Sequence, residues 1–234
     1  MSPERARLGR PVCAGDEHAN HHCNHVPWSL TWVEPASAQR RQPQIPFQLT
    51  VAVHDHERVS ADRVDEILKE ASKVLSKCNV ILKRKGSVGA FMEPNTATNQ
   101  EELIDTEDKR DAVHKVNFDF KVVKAPFFFC RGIRNEAVMG CAFDPIPGEQ
   151  RPQRKSMIVS NHPNLKLSGK IWAHEFGHRR GLAHRNEGNA LMRCFVKPQN
   201  DEISDHECDC IRNGPISCGD PVEALTACGE DNLL

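Results

Sequence analysis

His174-Glu-Phe-Gly-His-Arg-Arg-Gly-Leu-Ala-His184 carries three histidines at spacings that suit one metal ion. His174 and His178 are four residues apart, so on a helix they project from the same face, one turn apart. Glu175 projects differently, and its carboxylate can reach a water on that ion without displacing it. Gly181 suits a left-handed helix stop, after which the chain can deliver His184 as a third imidazole. The stretch predicts a three-histidine site at the end of a helix.

Three neutral imidazole nitrogens favour Zn²⁺ and leave a fourth position for water, which is the geometry of a catalytic site. The pKa of such a water falls towards about 7. Glu175 would then act as general base while the water attacks a carbonyl that zinc polarises. The alternative for two histidines and a glutamate alone is a chance cluster of surface polarity, but the longer pattern also fixes the glycine and His184.

The same eleven-residue pattern is the signature of the metzincin zinc endopeptidases, and the chain resembles that family. Met192 stands eight residues after His184, as the Met-turn does in matrixin-like members. The resemblance implies that Met192 forms a hydrophobic floor beneath the three imidazoles. The ordinary alternative is a methionine that fills a gap in the core.

Two departures from the family pattern concern the surroundings of this site. The sequence contains no Tyr, and Cys194 stands where a tyrosine follows the Met-turn in astacin-like and serralysin-like members. A phenol therefore cannot stabilise the transition state, which leaves zinc and backbone N–H groups. Arg179 and Arg180 make the end of the helix unusually basic. We expect both to be solvated, with binding of an acidic substrate as the alternative.

Hydrophobic periodicity predicts an α+β fold. Residues 47–53 alternate as a strand does, Ser60 is a candidate N-cap for a helix ending near Cys78, and residues 79–83 form the next strand, which makes a β-α-β unit. Further strands are predicted at 116–122, 137–143 and 156–160, a loop or short helix at 94–112, and helices at 168–180 and 202–212. The resemblance implies a zincin/metzincin-like, twisted mixed five-stranded sheet with two long helices and a small irregular C-terminal subdomain.

The first 46 residues differ from the rest in composition. They hold six of the 15 Pro and four of the 12 His and few branched aliphatic residues, so we expect a disordered or loosely attached leader. Residues 47–234 form the predicted catalytic domain, with a Cys-rich C-terminal subdomain from about residue 181. Within the leader, Cys13 distantly resembles the matrixin cysteine switch, and the histidines at 18–25 are those of a flexible segment or a metal scavenger.

The ten cysteines favour disulfides and therefore a secreted or extracellular protein, although no convincing signal peptide is present. Cys130 and Cys141 bracket a short stretch that a disulfide between them would clip, and five more lie in the C-terminal quarter: Cys194, Cys208, Cys210, Cys218 and Cys228. Their connectivity stays open. Cys208 and Cys210 with His206 offer an alternative second metal site.

The chemistry predicts a polypeptide substrate. An extended peptide can add as a strand to a sheet edge, and Gly140, Cys141 and Ala142 lie on the candidate edge strand, which is alternatively internal. Arg193, directly after Met192, is expected to line the pocket for the side chain that follows the cut bond. No Asp/Glu-rich loop identifies a structural Ca²⁺.

The composition argues against nucleic acid as a partner and against a membrane span. Thirty-one Lys+Arg against 32 Asp+Glu argue against a nucleic-acid binder, and no apolar run is long enough for a membrane span. The prediction is therefore a monomeric zinc-dependent metalloendopeptidase, a hydrolase. The alternatives are a non-catalytic zinc-containing binding protein, and a secreted toxin or effector protease with a dedicated target.

Overall fold

The computed structural model describes residues 43–55, 57–92, 104, 106–123, 127–130, 133–142, 156–185 and 187–214. Several expectations concern residues outside these ranges: the leader up to residue 42, with Cys13 and the histidines at 18–25, the loop that follows the edge strand, and Cys218 and Cys228. The first strand begins at Ile45, two residues before the predicted start of the ordered domain.

The described residues form nine strands and four α-helices. The strands are β1 (Ile45–Leu49), β2 (Val51–His54), β3 (Val80–Arg84), β4 (Gly89–Phe91), β5 (Phe120–Val123), β6 (Phe127–Cys130), β7 (Ile133–Val138), β8 (Gly140–Ala142) and β9 (Met157–Ser160). The helices are α1 (Ala61–Leu75), α2 (Glu107–Lys115), α3 (Leu165–Arg179) and α4 (Asp205–Asn213), and a 3₁₀ turn, Ser76–Cys78, follows α1.

The central sheet has the strand order β4-β2-β5-β9-β8. Its first four strands are parallel, and β8 runs antiparallel to β9. β1 and β3 form a separate parallel pair, and β6 and β7 an antiparallel one. The predicted mixed five-stranded sheet with two long helices is confirmed.

Element boundaries differ from the sequence prediction at several places, and the predicted strand 137–143 is divided between β7 and β8. The predicted strand 47–53 is divided at Thr50 into β1 and β2. The predicted strand 116–122 begins only at Phe120, because the Asp119 carboxylate accepts hydrogen bonds from the Thr50 N–H (2.7 Å) and hydroxyl (2.8 Å). Helix α3 begins three residues before Ser168. Asn164 caps it by accepting a hydrogen bond from Leu167 N at 3.1 Å.

Helix α1 forms where the sequence predicts it. The Ser60 hydroxyl accepts a hydrogen bond from Arg63 N at 3.1 Å and caps the helix. The residues on its apolar face are buried in the main core: Val64, Ile67, Leu68, Ala71 and Leu75. Helix α3 packs closely on α1. A Cβ added to Gly169 of α3 would lie only 2.4 Å from the Cβ of Glu70 on α1, so only glycine allows this approach. This contact fixes the helix that carries His174 and His178 against the rest of the domain.

Two apolar clusters lie in the domain. The larger includes α1, α3 and strand side chains, and in it the rings of Phe120 and Trp172 stack with centroids 4.7 Å apart. The smaller includes Val113 of α2 and Ile158 of β9. The sequence therefore builds a core that holds α3 firmly. Within the described part of the chain, no helix has the length and apolar character to cross a membrane.

A disulfide joins distant parts of the chain. Cys78, after α1, is bonded to Cys208 of α4, 130 residues away in sequence. Cys141, Cys194 and Cys210 are also disulfide-bonded. The alternative of a second metal site at Cys208 and Cys210 is therefore wrong, since neither sulfur is available as a thiolate ligand.

Lys121 of β5 is fully buried, and its Nζ donates a hydrogen bond to the His114 carbonyl at 3.4 Å. Burial lowers the pKa of this amine to about 7. In the unfolded chain the amine keeps its proton until about pH 10.4. Between these values the unfolded state binds more protons, so stability rises with pH over this interval.

We expect the free energy of unfolding to increase by about 2 to 4 kcal/mol from pH 7 to pH 10 because of Lys121. Urea unfolding at a series of pH values measures this rise, and Lys121→Met should remove it. The same pH dependence in wild type and variant would contradict the assignment.

Candidate metal centre

Helix α3 brings the first two histidines together, and the turn after it brings the third. His174 and His178 are buried on the last two turns of α3. Gly181 has φ = +94°, a left-handed conformation that favours glycine, as the sequence predicts. Leu182 N donates to Gly177 O at 3.1 Å, which closes the helix end and turns the chain back towards it. His184 follows on this returning segment.

The three imidazoles converge through the same ring atom. The Nε2 atoms of His174 and His178 are 3.0 Å apart, as are those of His178 and His184, and the third pair is 3.3 Å apart. A tetrahedral zinc ion with Zn–N bonds of 2.0–2.1 Å requires nitrogens about 3.3 Å apart. The three histidines can therefore hold one zinc ion.

Hydrogen bonds to the opposite ring nitrogens orient two of the imidazoles. His174 Nδ1 lies 2.8 Å from Leu191 O, and His178 Nδ1 lies 2.7 Å from Leu182 O. A carbonyl can only accept, so each Nδ1 carries the hydrogen and each Nε2 keeps its lone pair. The lone pairs then face the common point, as metal ligation requires.

Burial also favours the ligand form of these side chains. It lowers the pKa of His174 to about 3 and that of His184 to about 4, and the neighbouring His184 lowers the pKa of His174 further. Burial and the two other imidazoles place the pKa of His178 well below its usual value. All three are therefore neutral at pH 7, the state in which imidazole binds a metal.

The predicted Met-turn lies directly behind the helix. Met192 is fully buried, and a Cβ on Gly177 would lie 2.6 Å from its Sδ. The preceding residue, Leu191, supplies the carbonyl that orients His174, and Met192 O accepts from Arg185 N at 2.9 Å. Only glycine at position 177 leaves room for this packing.

Among the described residues, His174, His178 and His184 form a group that could hold a metal ion. No family model and no curated protein matches the sequence. The evidence for a metal centre is therefore the geometry of the three imidazoles.

Solved structures that resemble the chain include metalloproteinase-II from Bacteroides fragilis, at 12% identity and a TM-score of 0.42 over 76% of this chain and 54% of that one. Archaemetzincin from Methanopyrus kandleri is similar at 14% identity and a TM-score of 0.47, over 72% of this chain and 94% of that one. The chain thus spans about half the length of the Bacteroides protein.

Glu175 lies between the three-histidine site and the sheet edge. Its side chain is buried, and a Cβ built on Gly140 would lie only 2.2 Å from its Oε1. The carboxylate therefore occupies the space beside β8 that any other side chain would take at position 140. The sequence singles out both residues but gives no sign of this contact.

The other predicted site residues lie on the same strand or beyond the methionine. Cys141 is buried and Ala142 half-buried on β8, which pairs only with β9 among the described strands and so forms an edge. Arg193 is half-buried, and its Nη1 donates to Gly188 O at 3.0 Å. The structure thus places β8 beside Glu175, whereas Arg193 lies in the loop after α3.

The expectation that Arg179 and Arg180 are solvated is wrong. Arg179 Nη2 lies 2.7 Å from Asp119 Oδ1, which ties the end of α3 to β5. Arg180 donates to Ile211 O at 2.8 Å and lies over the Phe47 ring. The partners of both arginines are far away in sequence, so local charge patterning cannot reveal them.

Proposed function

We propose that this protein is a zinc-dependent endopeptidase. The observation that carries the proposal is the convergence of three Nε2 atoms within 3.3 Å of one another, with a glutamate next to the first histidine. A zinc ion held there would polarise the carbonyl of a peptide bond and make an attacking water more acidic. The ligands would be His174, His178 and His184, with Met192 as the floor of the site.

Glu175 would be the general base and then the general acid. Its carboxylate would accept a proton from the attacking water and pass it to the leaving amine nitrogen. Its buried position beside β8 supports this role, because the carboxylate is held in one place between the zinc helix and the sheet.

The substrate would bind as an extended strand along β8. Among the described strands β8 pairs only with β9, so its outer side would offer main-chain hydrogen bonds to the peptide. Glu175 lies against this strand, so a peptide bound there would pass close to the carboxylate. Arg193 would contribute to the pocket beyond the cut bond.

The disulfides support a secreted or extracellular site of action. Such bonds persist in oxidising compartments and are rare in the cytosol. Cys78 and Cys208 hold separate elements together, so a reducing compartment would remove a constraint that this fold contains.

Gly140→Ala should lower kcat for peptide hydrolysis by about 10²-fold, because a misplacement of about 1 Å of a catalytic group has that effect. The new methyl group would displace the Glu175 carboxylate. Zinc content should stay at the wild-type value, since the three histidines are untouched. Gly86→Ala is the control for a strained glycine change away from the site, because Gly86 has φ = +74° but no atom within 4 Å of the added Cβ. Unchanged kcat in Gly140→Ala would contradict the proposal that the space at Gly140 positions the Glu175 carboxylate for catalysis.

The proposed function is tested by incubating the full chain with an unfolded polypeptide, with and without zinc. We expect internal cleavage that a chelator stops and added zinc restores. Tight zinc binding with no cleavage of any unfolded polypeptide would instead favour a non-catalytic zinc-containing binding protein.

A further inference from the structure

The third histidine is held differently from the other two. His174 and His178 are fixed by α3, whereas His184 lies on an irregular segment after it. The next residue, Arg185, anchors this segment through both its backbone and its side chain. Arg185 N donates to Met192 O at 2.9 Å, and its Nη2 donates to Glu202 O at 3.3 Å.

The Arg185 side chain also forms an ion pair with α4. Its Nε lies 2.9 Å from Glu207 Oε1, and Nη1 lies 3.2 Å from Glu187 Oε2. The side chains of Arg185 and Glu207 are 28% and 9% exposed, whereas Glu187 is 82% exposed. The pair with Glu207 is therefore the shielded one, where the attraction between charges is least weakened by water.

Glu207 is itself held in place from two sides. Its Oε2 accepts a hydrogen bond from Ser204 N at 2.7 Å, and Ser204 accepts one from Glu207 N, which forms a capping box at the start of α4. The following residue, Cys208, is bonded to Cys78 after α1. The carboxylate that meets Arg185 is thus attached to the rigid part of the domain.

We propose that the Arg185–Glu207 ion pair is a positioning device for the third zinc ligand and sets the zinc affinity of the site. Neither side chain needs to touch the ion. Without the pair, the segment that carries His184 would have to become ordered when zinc binds. The loss of conformational entropy would then make zinc binding less favourable. The inference rests on the proposed zinc site and is independent of whether the protein cleaves peptides.

Replacing a group that hydrogen-bonds to a metal ligand typically lowers metal affinity by 10- to 100-fold, and we take the same range for a pair that acts through the backbone next to the ligand. We expect a loss of about this size for Glu207→Gln. This substitution removes the charge but keeps an oxygen that can accept from Ser204 N, so the capping box remains. Arg185→Gln should give a similar loss, and Arg185→Lys a smaller one because it retains the charge.

The experiment measures the zinc dissociation constant of the full chain by competition with a chelator, with the metal-free unfolding free energy of each variant alongside. Ser204→Ala is the matched control, because it removes the hydroxyl that caps α4 but keeps the Ser204 N–H that holds the Glu207 carboxylate, and so leaves the pair with Arg185 in place. Asp65→Asn is the second control, because it breaks the Arg84–Asp65 pair, whose atoms are 2.8 Å apart on α1 and β3.

The inference predicts at least tenfold weaker zinc binding in Glu207→Gln and Arg185→Gln, non-additive effects in the double variant, and less than a twofold change in both controls. It is overturned if the two variants bind zinc as the wild type does, or if Ser204→Ala weakens binding equally. If the neutral variants do not fold, Arg185→Lys is the deciding variant. A zinc affinity equal to that of the wild type, in a protein whose new amine no longer pairs with Glu207, would contradict the inference. A wild type that binds no zinc overturns this inference and the proposed function together.

Discussion

Glu175→Gln is expected to lower kcat/KM for an unfolded polypeptide by about 10³-fold while zinc stays bound at the wild-type level. Glutamine has the shape of glutamate, so it fits beside Gly140, but its amide cannot accept the proton of the attacking water. The substitution leaves the three imidazoles unchanged, so zinc binding should not be affected. The loss should therefore appear in kcat and leave the metal content intact.

The measurement combines initial rates with zinc quantification on the same samples. Glu66→Gln is the matched control, because Glu66 lies on α1 with 58% of its side chain exposed, and its loss should leave the rate unchanged. Equal cleavage by wild type and Glu175→Gln would show that hydrolysis does not depend on this carboxylate, and the proposed mechanism would have to be abandoned.

Removal of the Cys78–Cys208 disulfide should have the largest effect on stability. The bond closes a loop of 130 residues, and the chain-entropy relation gives a stabilisation of up to about 5 kcal/mol for such a loop. We expect the Cys78→Ala/Cys208→Ala variant to lose about 2 to 5 kcal/mol of unfolding free energy. Helix α4 should be the element that loosens most, because Cys208 is its attachment to the end of α1.

Denaturant unfolding of the non-reduced variant and wild type measures this loss, and amide exchange locates it. The other disulfide-bonded cysteines stay oxidised in both proteins, so the comparison isolates one bond. Ser76→Ala, in the 3₁₀ turn before Cys78, is the control for a local change at this position. A loss under about 1 kcal/mol, or unaltered exchange in α4, would show that the helix is held without the Cys78–Cys208 bond, by packing and by the disulfide of Cys210.

The parts of the site that follow from local geometry could be predicted from the sequence. The spacing of His174 and His178 works because both lie on one helix, and Gly181 turns the chain for His184. Ser60 and the apolar face of α1 are equally local signals. Each depends on residues within one or two turns of one another, so the sequence carries the information directly.

The parts that depend on partners far along the chain could not be predicted. Asp119 contacts both Thr50 and Arg179, which shortens one predicted strand and pairs an arginine that was expected to be solvated. The space for Glu175 is left by Gly140, a residue on another element. The partner of Cys78 is likewise outside the reach of sequence patterns, because spacing does not fix connectivity.

The start of α3 shows a weaker kind of ambiguity. Asn164 and Ser168 are both residue types that cap helices, and the predicted helix begins at Ser168. The structure uses Asn164 as the cap, while the Ser168 hydroxyl donates to His162 O at 2.9 Å and is buried.

In the proposed site, three imidazoles would bind one zinc ion and leave one position open to water. X-ray absorption at the zinc edge, on protein loaded to one equivalent, measures this coordination. We expect three nitrogen neighbours at about 2.0–2.1 Å and one oxygen neighbour. His184→Ala should lose one of the nitrogens. A sulfur neighbour, a fourth protein nitrogen, or a spectrum unchanged by His184→Ala would contradict the proposed coordination.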